Sequence, residues 1–248
     1  MIRLRFLAVA ILPLLVSGCI EHSDGAETTT PSLSSSAESA APHSAEAPLE
    51  AGDVAASIAT VAPDTASGAL QERTGTNQGL ETGQENAPVA LTVYTNHSCR
   101  YCAEFTRNHL ERLLTDFVAP GLLKIEIIPF PLQKYPSSDL EAKTLLCATE
   151  QGRGLAMHRA LFSLNPRTEA AILTMAKEQA LDAKALAGCL KSDRLQEKLN
   201  VQKAQAVLHG VSFVPAFSID GQTKTGLPDY PDLRGWIQEE LEQAGNRN

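Results

Sequence analysis

The residues best suited to chemistry in this 248-residue chain are Cys99 and Cys102, within the stretch HSCRYCAEF. Cysteines three residues apart at the start of a helix point the same way and can approach disulfide distance. Free backbone N–H groups at a helix start stabilise a thiolate and lower the pKa of the first cysteine. We therefore expect Cys99 to be the nucleophile of thiol–disulfide exchange and Cys102 to be the resolving thiol.

Three neighbours of the pair are candidates for tuning its reactivity. Arg100 adds a positive charge beside the expected thiolate, which stabilises the reduced form and makes the disulfide a stronger oxidant. Tyr101 fills the second position between the cysteines. His97 could add charge at lower pH, and a loop histidine that faces solvent is the alternative.

Two other roles for the pair fit the sequence less well. A zinc site needs two more ligands, usually another closely spaced pair. Cys147 and Cys189 stand apart from each other, without a histidine at ligand spacing. A purely structural disulfide across four residues would constrain the unfolded chain little. A redox role is therefore favoured.

The N-terminus has the layout of a secretory signal. Arg3 and Arg5 precede an apolar run, Phe6 to Val16, that is too short to span a bilayer permanently. The residues Val16-Ser17-Gly18-Cys19 resemble a bacterial lipobox, which implies cleavage after residue 18 and a lipid on Cys19. We expect an exported, lipid-anchored protein on the periplasmic side of a bacterial membrane, the outer membrane if the cell has one. An ordinary signal peptide is the alternative.

The segment 19–87 is predicted to be a disordered acidic linker. From Ile20 to Ala87 it contains eleven acidic residues and one basic residue, and it is rich in Ser, Thr, Ala and Pro. Such a composition buries too little apolar surface to offset the entropy lost on ordering. The net charge of −8 lies mainly in this segment, because the remainder carries equal numbers of acidic and basic residues. An acidic tail argues against nucleic-acid binding.

Residues 88–248 are long enough for one domain with a real core. Pro88 to Asn96 and Leu122 to Phe130 are β-branched runs that predict strands, with a helix between them. A helical region follows at about 137–209. Two short strands joined at Asp220-Gly221 and a final helix from about Tyr230 to Ala244 complete the order. This order predicts an α/β thioredoxin-like fold with an inserted helical subdomain.

Three stretches, YTNHSCRYC, CATEQGRGLAMHRALF and GVSFVPAFSIDG, resemble the DsbA-type thiol–disulfide oxidoreductases across nearly all of residues 88–245. The resemblance implies a cis Val214-Pro215 bond in a loop that faces the redox pair. Backbone groups of Val214 would then pair with an extended substrate, which suits a broad range of unfolded clients. The dipeptide Arg100-Tyr101 departs from those usual in the family, so the redox potential cannot be carried over.

The resemblance also implies a second, non-catalytic disulfide between Cys147 and Cys189, with two separate thiols as the alternative. Some relatives place an acidic residue in the first strand beneath the redox pair, where this chain has Val93. Glu126 and Lys124 in the second strand are candidates for a buried proton-handling pair, or equally for a charge pair on an edge strand.

The sequence therefore predicts an extracytoplasmic thiol–disulfide oxidoreductase that acts as an oxidant. A reductase or isomerase is the alternative within the same chemistry, and a metal- or partner-binding lipoprotein is the alternative from another class. No organic cofactor is implied, because the disulfide itself carries the electrons. The expected partners are reduced or misoxidised exported proteins and an unidentified membrane redox partner. We expect a monomer, since no dimerisation domain precedes the fold.

Overall fold

The computed structural model describes residues 70–246, whose strands form one six-stranded sheet. The strands are β1 (Glu72–Thr74), β2 (Leu80–Thr82), β3 (Val89–Thr95), β4 (Leu123–Pro129), β5 (Ala216–Ile219) and β6 (Gln222–Thr225). The predicted signal peptide, the lipidation of Cys19 and the linker up to residue 69 lie outside the described residues.

The strand order in the sheet is β1-β2-β4-β3-β5-β6. Strands β3 and β4 run parallel, with Val89 opposite Leu123 and Thr95 opposite Pro129, and every other neighbouring pair is antiparallel. A parallel pair needs a long crossover connection, so the predicted β-α-β unit is confirmed. Both central strands are rich in β-branched residues, and their Ile and Val side chains supply much of the core.

The predicted boundary of the folded domain at residue 88 is wrong. Strands β1 and β2 form an N-terminal hairpin that pairs with β4 through Leu80 and Ile127, so residues that were predicted to be linker extend the sheet. Leu80 is fully buried. The acidic composition concealed this hairpin, because its two strands are three residues each and contain one large apolar side chain.

The helices fall into three groups. The crossover between β3 and β4 is one continuous helical run that contains α1 (Arg100–Phe105), a π-helical segment (Thr106–Leu110), α2 (Glu111–Leu113) and a second π-helical segment (Leu114–Val118). The helical subdomain comprises α3 (Ser138–Glu150), α4 (Gly154–Leu161), α5 (Glu169–Glu178), α6 (Ala183–Leu190) and α7 (Asp193–Leu208). Helix α8 (Tyr230–Asn246) ends the described chain. The helices of the helical subdomain span residues 138–208, between β4 and β5.

Local sequence signals explain several of these boundaries. The side chain of Asp182 accepts hydrogen bonds from two backbone N–H groups at the start of α6, and Thr168 caps α5 in the same way. Asp220 and Gly221 both adopt positive φ between β5 and β6, as a two-residue hairpin turn requires. Among residues 70–246, none of the helices has both the length and the apolar character of a membrane span.

Candidate active site

Three segments that are distant in sequence meet at one edge of the sheet. The redox loop, residues 96–98, leaves the carboxyl end of β3 and leads to Cys99. Because β3 and β4 are parallel, the loop that carries Lys134 leaves β4 at the same edge. Strand β5 is antiparallel to β3, with Ala216 opposite Tyr94, so Pro215 also lies at this edge.

Cys99 is the N-cap residue of α1 and is partly exposed, whereas Cys102 is fully buried one turn later. The backbone N–H of Cys99 donates to the carbonyl of Asn96 at 3.0 Å. The Sγ atom of Cys99 lies 3.6 Å from the carbonyl oxygen of Val214. The Val214–Pro215 bond is cis, as the resemblance implied. The cis-proline loop and the redox pair are therefore in direct contact.

The surroundings of Cys99 favour its thiolate. A hydrogen bond from the Cys102 thiol is the largest cause that lowers the pKa of Cys99, which falls from 9.0 to about 6. The backbone N–H groups of Cys102 and Tyr101 and the positive charge of Lys134 act in the same direction, while burial opposes them. Cys99 is therefore mainly ionised at neutral pH, which agrees with its predicted role as the nucleophile.

Cys102 is held in the opposite state. Burial is the largest cause that raises the pKa of the Cys102 thiol, followed by its hydrogen bond to Cys99 and the negative charge there. Cys102 therefore keeps its proton while Cys99 is ionised. This separation gives the two sulfurs different roles, with a reactive anion at the surface and a protonated thiol beneath it.

Hydrogen bonds tie the redox loop to the first turn of α3. Asn96 Nδ2 donates to Ser138 Oγ at 2.6 Å. Ser98 Oγ lies 3.1 and 3.2 Å from the two carboxylate oxygens of Glu141, which is fully buried and forms an ion pair with Arg167. No local sequence motif marks these residues, because their contacts join segments that are 26 and 43 residues apart.

His97 is buried, with 2% of its surface exposed, so the alternative of a solvent-facing loop histidine is wrong. Burial is the largest cause that lowers the pKa of His97 well below 6.5, and His158 and the charge of Arg167 lower it further. The predicted positive charge at lower pH is therefore also wrong, because the ring stays neutral when the solution becomes mildly acidic.

His97 instead begins a hydrogen-bonded chain that leads to the resolving cysteine. Its Nε2 lies 3.1 Å from Nδ1 of His158, whose Nε2 lies 3.1 Å from Thr106 Oγ1. The Thr106 hydroxyl donates its one hydrogen to the carbonyl of Cys102 at 3.0 Å. With both rings neutral, Thr106 must then accept from His158, and His158 must accept from His97. We call this chain the histidine relay.

Arg100 was predicted to place its positive charge beside the Cys99 thiolate, but its guanidinium lies over the ring of Tyr101 instead. Its guanidinium carbon lies 4.6 Å from the centre of the Tyr101 ring, and both side chains are exposed. The cation that stabilises the Cys99 thiolate is Lys134, and Tyr101 contributes its backbone N–H rather than its ring. Lys134 was missed because it stands in an irregular loop, more than thirty residues from the cysteines, where the sequence has no periodicity.

Glu126 and Lys124 lie in β4, which is an inner strand, so the edge-strand alternative is wrong. Glu126 accepts hydrogen bonds from Gly79 N at 2.9 Å and Asn77 Nδ2 at 2.8 Å, and burial raises its pKa. Lys124 Nζ lies 3.8 Å from a carboxylate oxygen of Glu81. Both residues therefore hold the N-terminal hairpin, and they do not form one proton-handling pair.

Cys147 in α3 and Cys189 in α6 form a disulfide, with 6.0 Å between their Cα atoms. This is the pairing that the resemblance implied, and it fastens two helices of the helical subdomain to each other. Within residues 70–246, no group of three or more His, Cys, Asp or Glu side chains is arranged to hold a metal ion.

An apolar groove adjoins the cis-proline loop. It has a volume of about 410 Å³ and lies between the β5–β6 hairpin and α8, where Phe217, Leu233 and Trp236 line it. Gly226 also lines the groove, and its N–H donates to the carbonyl of Pro215 at 2.8 Å. The groove is therefore anchored to the same loop that contacts Cys99.

The sheet, the helical subdomain between β4 and β5, and the cysteine pair at the head of α1 define a thioredoxin-like protein with a helical insertion. The chain belongs to a thioredoxin family, whose model, described as Thioredoxin, matches residues 76–239. That match begins inside the N-terminal hairpin, in agreement with the domain boundary in the structure. A search of curated proteins found no match.

Several solved structures share this fold. BdbD from Bacillus subtilis is similar with a TM-score of 0.62 and 16% identity, over 71% of this chain and 100% of that one. The thiol-disulfide exchange protein α-DsbA2 from Wolbachia pipientis gives 0.58 and 21%, over 64% and 85%. The catalytic domain of Proteus mirabilis ScsC gives 0.56 and 21%, over 65% and 88%. The predicted fold class is thus confirmed.

Proposed function

We propose that this chain is an extracytoplasmic thiol–disulfide oxidoreductase that oxidises exported proteins through Cys99 and Cys102. The observation that carries the proposal is the placement of the two thiols. Cys99 is partly exposed at the head of α1, 3.6 Å from the Val214 carbonyl oxygen, and Cys102 is fully buried one turn later. This placement favours a thiolate at Cys99 and a protonated thiol at Cys102. A stabilised thiolate favours the reduced form, so the disulfide form is the better oxidant. The Wolbachia pipientis protein of similar fold is described as a thiol-disulfide exchange protein, which supports the same chemistry here.

The reaction needs two exchange steps. A client thiolate attacks Cys99 Sγ of the oxidised protein, the Cys99–Cys102 bond breaks, and the Cys102 sulfur leaves and takes up a proton. A second client thiolate then attacks the client sulfur of the mixed disulfide, and Cys99 leaves as a thiolate. The client loses two electrons and gains a disulfide, while the protein becomes a dithiol. A membrane redox partner that accepts these two electrons would restore the oxidised form.

Client recognition would combine backbone and apolar contacts. The carbonyl of Val214 beside Cys99 offers an acceptor to an extended client segment, in the manner of strand addition. The groove anchored to Pro215 offers an apolar surface next to it. Phe213 in the same loop is 71% exposed, which adds apolar surface at the rim. These features suit unfolded clients, whose apolar side chains are accessible.

The location is proposed from the sequence pattern. The signal-like segment and the lipobox resemblance around Cys19 support export and a lipid anchor on the periplasmic side of a bacterial membrane. A protein there meets reduced or misoxidised exported chains, which are the expected clients. We propose that it acts as a monomer, because the cysteines, Lys134 and the cis-proline loop all come from one chain.

The decisive experiment mixes the oxidised protein with a reduced, unfolded client and follows client disulfide formation by alkylation and gel mobility. We expect stoichiometric oxidation by the wild type and none by Cys99→Ser. Cys102→Ser cannot form the Cys99–Cys102 disulfide, so it should not oxidise the reduced client. When it is offered a client that already contains a disulfide, its Cys99 thiolate should attack that bond and accumulate a mixed disulfide, because the resolving thiol is missing. The reduction potential against glutathione is measured on the same preparation.

Two results would contradict the proposal. Equal client oxidation by Cys99→Ser would remove the assigned nucleophile. A reduction potential as low as that of thioredoxin, about −270 mV, would favour a reductase over an oxidant.

A further inference from the structure

The first turn of α3 reaches the residue next to the nucleophile. Ser98 Oγ donates to the Glu141 carboxylate, whose oxygens lie 3.1 and 3.2 Å away. Arg167 forms an ion pair with the same carboxylate, and its Nη1 also donates to the carbonyl of Leu161 at 3.2 Å. Ser98, Glu141 and Arg167 thus join three segments, namely the redox loop, α3 and the loop between α4 and α5.

The carboxylate of Glu141 has little freedom to move. It is fully buried, and a buried carboxylate is tolerated only when it is paired and hydrogen-bonded. Its partners are Arg167, Ser98 and Ser137, whose Oγ donates at 3.1 Å. Loss of the contact to Ser98 would still leave Glu141 with the other two partners. Glu141 is therefore satisfied without Ser98. The main effect of the hydrogen bond between them is to restrain the redox loop.

The position of Ser98 affects how the Cys99 sulfur is oriented towards the backbone N–H groups at the start of α1. Cys99 is the N-cap residue, and the N–H groups that face its sulfur are oriented by the backbone on both sides of it. Asn96 Oδ1 accepts the backbone N–H of Ser98 at 2.9 Å, so the backbone and the side chain of Ser98 are both held. Release of the side chain would let the N-cap turn fluctuate and spread the distances between the sulfur and these N–H groups.

We propose that Glu141 is a positioning residue for Cys99, and that it acts through the hydroxyl of Ser98 to keep the nucleophile aligned with the head of α1. This inference rests on the proposed function, in which Cys99 is the attacked sulfur. The helical subdomain then has a part in the reaction, because α3 sets the reactivity of a cysteine that belongs to the thioredoxin-like core.

Ser137 provides a matched control. The hydroxyls of Ser98 and Ser137 both donate to the carboxylate of Glu141, and both residues are partly buried. Only Ser98 belongs to the redox loop. The test compares Ser98→Ala with Ser137→Ala, and adds Ser98→Thr and Ser98→Val, which have nearly the same shape with and without a hydroxyl. Each reduced full-length protein is alkylated with iodoacetamide from pH 4 to 9, and the rate and its midpoint are recorded.

We expect Ser98→Ala and Ser98→Val to react roughly three- to tenfold more slowly at pH 6, with midpoints at higher pH, because a charge-assisted hydrogen bond that aligns the thiolate is lost. Ser137→Ala and Ser98→Thr should stay within about twofold of the wild type, since both keep the tie between Ser98 and Glu141. Unchanged profiles in Ser98→Val, or equal losses in Ser98→Ala and Ser137→Ala, would overturn the inference. The alkylation needs no client, so failure of client oxidation by the wild type would count against the proposed function alone.

Discussion

At the scale of single residues, the site depends on two cysteine thiols that lie in different environments. Cys99 is partly exposed and is contacted by the Cys102 thiol, by backbone N–H groups and by a lysine charge, while Cys102 is buried beneath it. The spacing of the two cysteines predicted this division of roles, because it follows from the geometry of one helical turn. The lysine could not be predicted, since only the parallel arrangement of β3 and β4 brings its loop to the cysteine.

Lys134→Met should raise the pKa of Cys99 by about half a unit, because the cation that favours the thiolate is lost. Arg100→Met is the matched control and should leave the pKa nearly unchanged, since the Arg100 side chain lies over Tyr101. Thiolate absorbance near 240 nm against pH measures both. A larger shift in the arginine variant would restore the role first predicted for Arg100. Added salt should reduce the effect of Lys134.

At the scale of elements, the helical subdomain supports the redox loop at several points. Helix α3 bonds Asn96 and Ser98, and α4 supplies His158 to the histidine relay. The existence of these helices could be predicted from the spacing of apolar residues and from caps such as Asp182. The contacts between these helices and the redox loop could not be predicted, because they depend on tertiary hydrogen bonds between polar side chains.

The histidine relay should make the protein sensitive to acid. Burial is the largest cause that lowers the pKa of His158, to about 3, while in the unfolded chain it takes up a proton below about 6.5. The unfolded state therefore binds more protons in this window, and the free energy of unfolding falls as the pH drops from 6.5 towards 3.

His158→Gln should flatten this fall by about 1.4 kcal/mol per pH unit, because an amide can replace both hydrogen bonds without titrating. Urea unfolding at several pH values between 4 and 7 measures the slope. His209→Gln, at an exposed position, is the control and should keep the slope of the wild type. Identical slopes in the two variants would show that His158 is not the group that takes up the proton.

The second disulfide should act on stability and leave the chemistry of Cys99 intact. Cys147 and Cys189 are 42 residues apart, and closing a loop of that length restricts the unfolded chain. The double variant Cys147→Ala and Cys189→Ala should lose about 4 kcal/mol of unfolding free energy in the chain-entropy model. Chemical denaturation under oxidising conditions tests this. If the double variant changed the pH profile of Cys99 alkylation by iodoacetamide, a purely structural role for the Cys147–Cys189 disulfide would be contradicted.

At the scale of the whole molecule, the sequence was a good guide to the core and a poor guide to its edges. The run from Pro88 to Asn96 and the turn at Asp220-Gly221 follow local rules, and the structure confirms both. The N-terminal hairpin was missed because its strands are short and polar, and it is held by hydrogen bonds to Glu126 rather than by a large apolar face.

The stability of the whole domain should depend on the redox state and on pH together. Between pH 6 and about 8.5 the folded, reduced protein holds Cys99 mainly as a thiolate, while the unfolded chain keeps that thiol mainly protonated. The reduced protein therefore gains stability as the pH rises through this window and loses it as the pH falls through 6. The oxidised protein has no Cys99 thiol to titrate.

Thermal unfolding of both redox forms at pH 6, 7 and 8 measures this linkage. The Tm difference should shift in favour of the reduced form as the pH rises. The Tm of the reduced Cys99→Ser variant should follow the pH dependence of the oxidised wild type, because serine does not ionise in this range. Parallel curves for the two redox forms of the wild type would mean that folding does not stabilise the thiolate.

The most direct measurement is the titration of Cys99 itself in the reduced, full-length protein. Iodoacetamide reactivity from pH 4 to 10, read by mass spectrometry of the peptide that contains Cys99, gives its pKa without interference from Cys102. The hydrogen bond from the Cys102 thiol, the backbone N–H groups at the head of α1 and the charge of Lys134 together predict a single ionisation with a pKa of about 6. A pKa of about 8.5, the value of a free cysteine, would contradict the account.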